Sequence, residues 1–353
     1  MKISEIETPA LIIEKRALES NLDKMDKLMA ESGMELWPHY KSTKCPEIAA
    51  LQLKHGAKGL TCAKLSEAED LFEHGIERIV IANQVVQKEK LPRLAALAAK
   101  ADITVCADSA ENLLQLEDAM AKKNAKVKIF IEYEVGMKRC GVESFEEFLS
   151  LAKLADSLPH LIFDGIQAYA GHISHEKDAA FRKSEVRRVE KLISELKAFT
   201  EGNGLKINNV CGGSTGFAAD KSKDSVYTQA QYGSYLLMDA SYEKLGLQFE
   251  KSLYLLATVI SVKKDRFILD AGVKSITMDQ YPAYVASYPD AELSFSEEHL
   301  AVMVPGCGLS LGDKVPIVPG HCCTIMNNHD KVYLVDGDEV EAIWHITARG
   351  KSV

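Results

Sequence analysis

The chain has 353 residues, 46% apolar and 26% charged. This excludes wholesale disorder, a collagen repeat and a disulfide-stapled miniprotein, and at roughly 150 residues per domain it sets an expectation of about two domains. Lys and Arg total 42 against 51 Asp and Glu, a net charge of -9, which argues against nucleic acid as a partner while leaving room for one local phosphate pocket. Apolar runs such as residues 253–260 fall short of the ~20 residues of a membrane helix, and Met1–Glu7 has no basic-then-apolar signal pattern. No membrane association is therefore expected. The eight cysteines read as reduced thiols in a cytoplasmic protein, and Cys62 and Cys106, within apolar runs, as buried small hydrophobes.

In chain order, short β-branched runs alternate with helical patterns. Strands are predicted at residues 36–41, 59–63, 78–82, 103–107, 128–133, 165–169, 207–211 and 231–236. Helices are predicted at 15–30, 45–55, 66–73, 110–121, 145–155 and 179–200. Ser66-Glu67-Ala68-Glu69 has capping-box spacing, and Gly202-Asn203-Gly204 is a helix stop. This alternation predicts an α/β fold, a (β/α)8 TIM barrel over residues 10–245, with active groups just after its strands. Beyond residue 245 strand-like segments follow one another at 253–262, 266–270, 315–318 and 331–346, with an Asp336-Gly337 hairpin signal. They predict a mostly antiparallel β domain over 246–353, to which residues 1–9 could belong; the strand-like 9–14 segment fits either domain.

The first run delivers Lys41 to the barrel mouth. A partly desolvated lysine there can form a Schiff base with a carbonyl, although spacing alone favours a solvated loop lysine. Gly212-Gly213-Ser214-Thr215-Gly216 follows the seventh run. Its glycines allow close approach, its hydroxyls donate, and loops after strands seven and eight of this barrel commonly bind phosphate. His321-Cys322-Cys323 lies in the β domain. On an extended strand His321 and Cys323 would point to one face and could share a divalent ion. Two ligands are too few for a structural site, and a thiolate favours zinc over magnesium, with Mn2+ or Co2+ as alternatives.

Pro38-His39-x-Lys41 with Lys44-Cys45 resembles the lysine motif of fold-type III pyridoxal-phosphate enzymes, the alanine racemase-like barrel proteins. The nearest branch is the metal-activated D-threonine aldolase and D-serine dehydratase family. The resemblance runs through Glu132-x-x-x-Gly136-Met137-x-Arg139-Cys140-Gly141 and Tyr169-x-Gly171-His172-x-x-His175. It continues through the glycine-rich loop, Gly233-Ser234-Tyr235-x-x-Met238-Asp239 and Gly320-His321-Cys322-Cys323-Thr324. Each motif is weak alone; their order is what makes them specific. Two positions depart from the family: Trp37 stands where arginine is usual and Thr43 where histidine is frequent.

The resemblance implies pyridoxal 5'-phosphate on Lys41 and ring contacts from Arg139 and Tyr169. It implies phosphate contacts from Gly213, Ser214, Thr215, Gly233, Ser234 and Tyr235. His175 would be the base at the substrate β-hydroxyl, and His321 and Cys323 would hold the divalent metal, Zn or Mn. The implied substrate is a D-3-hydroxy-α-amino acid. The implied reaction is a lyase reaction, foremost D-threonine aldolase cleavage to glycine and an aldehyde, with a D-serine or 3-hydroxy-D-aspartate dehydratase as the alternative. The second metal ligand is often aspartate in the aldolases and cysteine in the dehydratases, so Cys323 leans towards the latter. A racemase, a non-catalytic pyridoxal-phosphate carrier and a pyridoxal-free metal lyase are weaker readings. The resemblance also implies a homodimer in which each β domain completes the partner's active site. Glu297, Glu298 and His299 stay open between a substrate pocket and a polar loop.

Overall fold

A computed structural model describes residues 1–221 and 224–353, which divide into two compact units. One comprises residues 26–41, 49–233 and 351–353; the other comprises 1–25, 42–48 and 234–350. The units therefore do not follow a single cut at residue 245. None of the described helices is long and apolar enough to cross a membrane.

Among the described residues of the first unit, eight parallel strands form one sheet. Its order is Glu35–Leu36, Gln229–Ala230, Asn209–Gly212, Leu161–Ala168, Val127–Glu132, Asp102–Ala107, Arg78–Gln84 and Leu60–Cys62. The two end strands meet through a parallel His39–Thr61 bridge and the bonds Lys58 N to Leu36 O (2.9 Å) and Thr61 N to Pro38 O (2.8 Å). The sheet thus closes as the expected barrel. Trp37, Val80, Cys106, Phe130 and Cys211 cluster as bulky layers of its core. Cys62 and Cys106 are fully buried, and burial pushes the Cys106 thiol pKa well up, as suits inert small hydrophobes.

Parallel strands send every strand-to-helix loop to the same rim. Arg139, Tyr169 and Gly213 follow the strands Val127–Glu132, Leu161–Ala168 and Asn209–Gly212. Two site segments differ from their predicted form. The first strand ends at Leu36, so Lys41 sits on a 3-10 turn, Tyr40–Ser42. The last is only Gln229–Ala230, so Ser234 and Tyr235 lie on the turn Ser234–Leu236 instead of in a strand. The capping box also shifts. The helix is Leu65–Glu73, and Glu67, not Glu69, accepts from the Ala63 and Lys64 backbone N–H at 2.8 and 3.2 Å.

The second unit holds the mostly antiparallel sheet. Ala10–Glu14 belongs to it, antiparallel to Leu253–Val262 and parallel to Lys331–Asp336, in register Leu11 with Leu255 and with Val332. The hairpin predicted at Asp336-Gly337 pairs Lys331–Asp336 with Glu339–His345. Glu297 and Glu298 form exposed ion pairs with Lys274 at 3.1 and 3.0 Å, the polar-loop reading of that segment.

Candidate active site

Tyr169 gathers two cations on the rim of the barrel. Lys41 Nζ is 5.8 Å from its ring centroid and Arg139 Cζ is 5.4 Å from it. Glu134 fixes the loop that carries Arg139. Burial works against its carboxylate, but backbone N–H groups of Gly136, Arg139 and their neighbours outweigh that and hold its pKa below the ordinary value. Tyr169 itself follows a strand end that is locked by the Tyr227 hydroxyl, which donates to Ala168 O at 2.9 Å.

Glu132 is a site residue whose role the sequence did not reveal. It is buried, accepts from Gln84 Nε2 at 2.6 Å, and lies 3.6 Å from Arg139 Nη2. Burial raises its pKa; Gln84 and Arg139 oppose the rise and Asp108 adds to it. A carboxyl raised in the fold contributes stability that is complete below its ordinary value of 4.5 and is lost as pH rises through the folded value. Glu132→Gln is therefore expected to flatten the fall in stability as pH rises above 4.5. Urea midpoints of both proteins across that range check this; parallel curves would contradict it.

The glycine-rich loop leaves no room for side chains. A Cβ on Gly212 would lie 2.2 Å from Ala168 O, and one on Gly213, at φ +94°, would lie 2.7 Å from the buried Tyr232 ring. Gly213→Ala is expected to cost about 1–3 kcal/mol through strain and ring displacement, read from the urea midpoint; an unchanged midpoint would contradict it. Ser214 and Thr215 are buried, and Ser214 Oγ accepts from Gly216 N at 3.3 Å. Among the described residues, Tyr232 Oη and Ser174 Oγ are buried without a hydrogen-bond partner. A tight glycine cradle, hydroxyls and unsatisfied buried donors suit a phosphate-bearing cofactor.

His175 follows the 3-10 turn Gly171–Ile173 and is half-buried. His172 turns elsewhere. Its ring covers Gly136 and its Nε2 lies 3.9 Å from Glu185 Oε2.

The second unit holds the soft donors. His321 has extended backbone but caps the short helix Cys322–Met326, so Cys323 sits in a first helical turn and not two residues along a strand. The side chains converge nonetheless. The ligand atoms of His321, Cys322 and Cys323 all lie within 4.8 Å of one another. Cys322 is fully buried, and burial pushes its thiol pKa well up. The Cys323 thiol donates to Ser42 Oγ at 3.2 Å, and Ser234 Oγ is 3.9 Å from the same sulfur. Ser234, expected at a phosphate, is thus brought to the thiol.

Asp239 organises this cluster, a role hidden within its motif. It is fully buried; its Oδ2 accepts from His321 Nδ1 and Cys322 N, both at 2.9 Å, and its Oδ1 accepts from Tyr242 N at 2.9 Å. Burial lowers the His321 pKa, but Cys323 and Asp239 outweigh it and push it up to about 11. With Nδ1–H directed to a carboxylate, Nε2 is the nitrogen left for an ion once its proton leaves. An imidazole and a thiolate, with a carboxylate behind the imidazole, fit a borderline-soft divalent ion.

Residues 13–241 match the family described as "Alanine racemase, N-terminal domain", and residues 252–335 match a "Putative serine dehydratase domain". The chain is 38% identical over 358 residues to a D-threonine aldolase of Arthrobacter sp., covering 99% of this chain and 94% of that protein. It is 35% identical over 364 residues to a 3-hydroxy-D-aspartate aldolase of Paracoccus denitrificans (strain Pd 1222), with the same coverage of 99% and 94%. The crystal structure of D-threonine aldolase from Filomicrobium marinum superposes with a TM-score of 0.96 at 33% identity, covering 100% of this chain and 98% of that one. The chain belongs to the alanine racemase N-terminal domain family, and its residues 252–335 match a serine dehydratase-type domain.

Proposed function

We propose that this protein is a pyridoxal-phosphate- and divalent-metal-dependent lyase that cleaves D-3-hydroxy-α-amino acids, foremost D-threonine, to glycine and an aldehyde. The observation that carries this reading is the His321–Cys323 donor pair backed by Asp239, with the Cys323 thiol on Ser42, the residue that follows Lys41 in the chain. A racemase has no use for such a pair, because its chemistry leaves the β-hydroxyl alone.

Pyridoxal phosphate, when bound, supplies an electron sink at Cα, and a zinc or manganese ion supplies a Lewis acid at a hydroxyl oxygen. The remaining work falls to the chain. Lys41 Nζ would hold the cofactor, and as a free amine it would move a proton at Cα. Tyr169 and Arg139, which lie together on the rim, would orient the ring. Gly213, Ser214, Thr215 and Gly233 would bind the phosphate. His175 takes the β-hydroxyl proton as the Cα–Cβ bond breaks; the carbonyl forms at Cβ and the electron pair stays at Cα. His321 and Cys323 would hold the ion.

Incubation with D-threonine and D-serine plus metal tests the outcome. Glycine and acetaldehyde from D-threonine are expected, and pyruvate from D-serine with no acetaldehyde would overturn the aldolase reading. Cys323 supports the dehydratase as the second reading, in which Lys41 removes the Cα proton and hydroxide departs. We also propose a homodimer, for which light scattering would return twice the chain mass. The eight free thiols support a cytoplasmic location.

A further inference from the structure

The residue before Lys41 is anchored in the barrel unit by a buried charge. Tyr40 is fully buried, and its hydroxyl donates to Asp70 Oδ2 at 2.6 Å. Asp70 is also fully buried, and its other oxygen, Oδ1, accepts from Lys351 Nζ at 2.8 Å. Lys351 belongs to the segment 351–353, which is part of this unit. The Ser66 hydroxyl, in the same helix as Asp70, holds that segment, lying 2.9 Å from Lys351 O and 2.6 Å from Val353 O.

A buried carboxylate loses much of its hydration, and removing one partner of such a pair leaves the other charge uncompensated. Lys351 is therefore part of what keeps Asp70 in place. Its surroundings favour the charged form: burial lowers its pKa, but Asp70, and Glu73 at 3.7 Å, outweigh that and raise it. Lys41 lies on the three-residue 3-10 turn Tyr40–Ser42, and its N–H is 3.4 Å from His39 Nδ1. So short a turn has little rigidity of its own, so the direction of the Lys41 side chain depends on how its neighbour Tyr40 is held.

We propose that Lys351, acting through Asp70 and Tyr40, is a positioning residue for the Lys41 amine. The proposal rests on the reading of Lys41 as the cofactor lysine. Lys351→Met removes the cation, Lys351→Arg restores it, and Tyr40→Phe removes one hydroxyl while keeping the buried ring. The holoenzymes would be compared by the pH midpoint of the visible band of the Lys41-linked cofactor, by kcat and KM, and by thermal unfolding. Lys351→Met and Tyr40→Phe are expected to move the midpoint in the same direction by about half a unit or more. They are expected to lower kcat roughly 10- to 100-fold with little change in KM, with Lys351→Arg close to wild type. A midpoint and kcat at wild-type values in both variants, with only the unfolding temperature lowered, would overturn the proposal and leave a purely structural clamp. A wild-type protein with no Lys41-linked band would instead overturn the reading of Lys41, and this proposal with it.

Discussion

Lys41→Ala is expected to abolish the yellow absorption of bound pyridoxal phosphate and to lower lyase turnover on the order of 10³-fold or more, because one amine would serve both the linkage and the proton transfer at Cα. The local geometry makes the loss specific. Lys41 Nζ and the Arg139 guanidinium both lie near the Tyr169 ring, so the amine is held at one place on the rim. Removing it leaves the glycine cradle, with its buried hydroxyls, intact. The variant should therefore still bind the phosphate group weakly, as fluorescence titration with free cofactor would show. An unchanged spectrum in Lys41→Ala would favour a metal lyase that does not use the cofactor.

Stripping the metal with a chelator, or replacing His321 or Cys323 with alanine, is expected to lower cleavage by roughly 10²-fold or more, with the stripped wild type recovering on addition of Zn2+ or Mn2+ and the variants failing to recover. The visible band of the cofactor should persist throughout, which separates this loss from that in Lys41→Ala. Asp239→Asn gives a graded version. The carboxylate that orients His321 Nδ1 becomes a weaker acceptor, and metal affinity should fall about 10- to 100-fold, measured by competition with a chromophoric chelator. Activity indifferent to chelation, with no metal retained by the wild type, would remove the second donor set from the account.

The alternation of strand and helix was legible because a period-2 apolar run and a 3.6-residue stripe leave different spacings in a chain. The helix Leu91–Ala98 escaped because Pro92 reads as a breaker, although proline in a first turn removes no intrahelical bond. Lys41, Tyr169 and the glycine loop could be located as residues that follow strand-like runs, but the turn under Lys41 could not, since only two residues of that strand pair. Ser66 read as a cap residue from its spacing; its hydroxyl instead reaches Lys351, 285 positions along the chain. Asp239 lies 82 positions from His321, and Asp70 lies 281 from Lys351. Such pairs carry no local periodicity, so their partnership exists only once the fold is closed. Trp37, which stands where the family usually has arginine, packs in the barrel core with its ring 5.1 Å from Arg78 Cζ, so the guanidinium in this region comes from the strand Arg78–Gln84. Thr43, the other departure, buries a hydroxyl with no hydrogen-bond partner among the described residues.

The central claim is a covalent link between one amine and the cofactor. Borohydride reduction of the holoenzyme followed by peptide mapping tests it most directly. The account predicts a pyridoxyl-phosphate adduct on the peptide containing Lys41 and on no other lysine. An adduct on a different lysine, or none from a protein that retains full lyase activity, would contradict it.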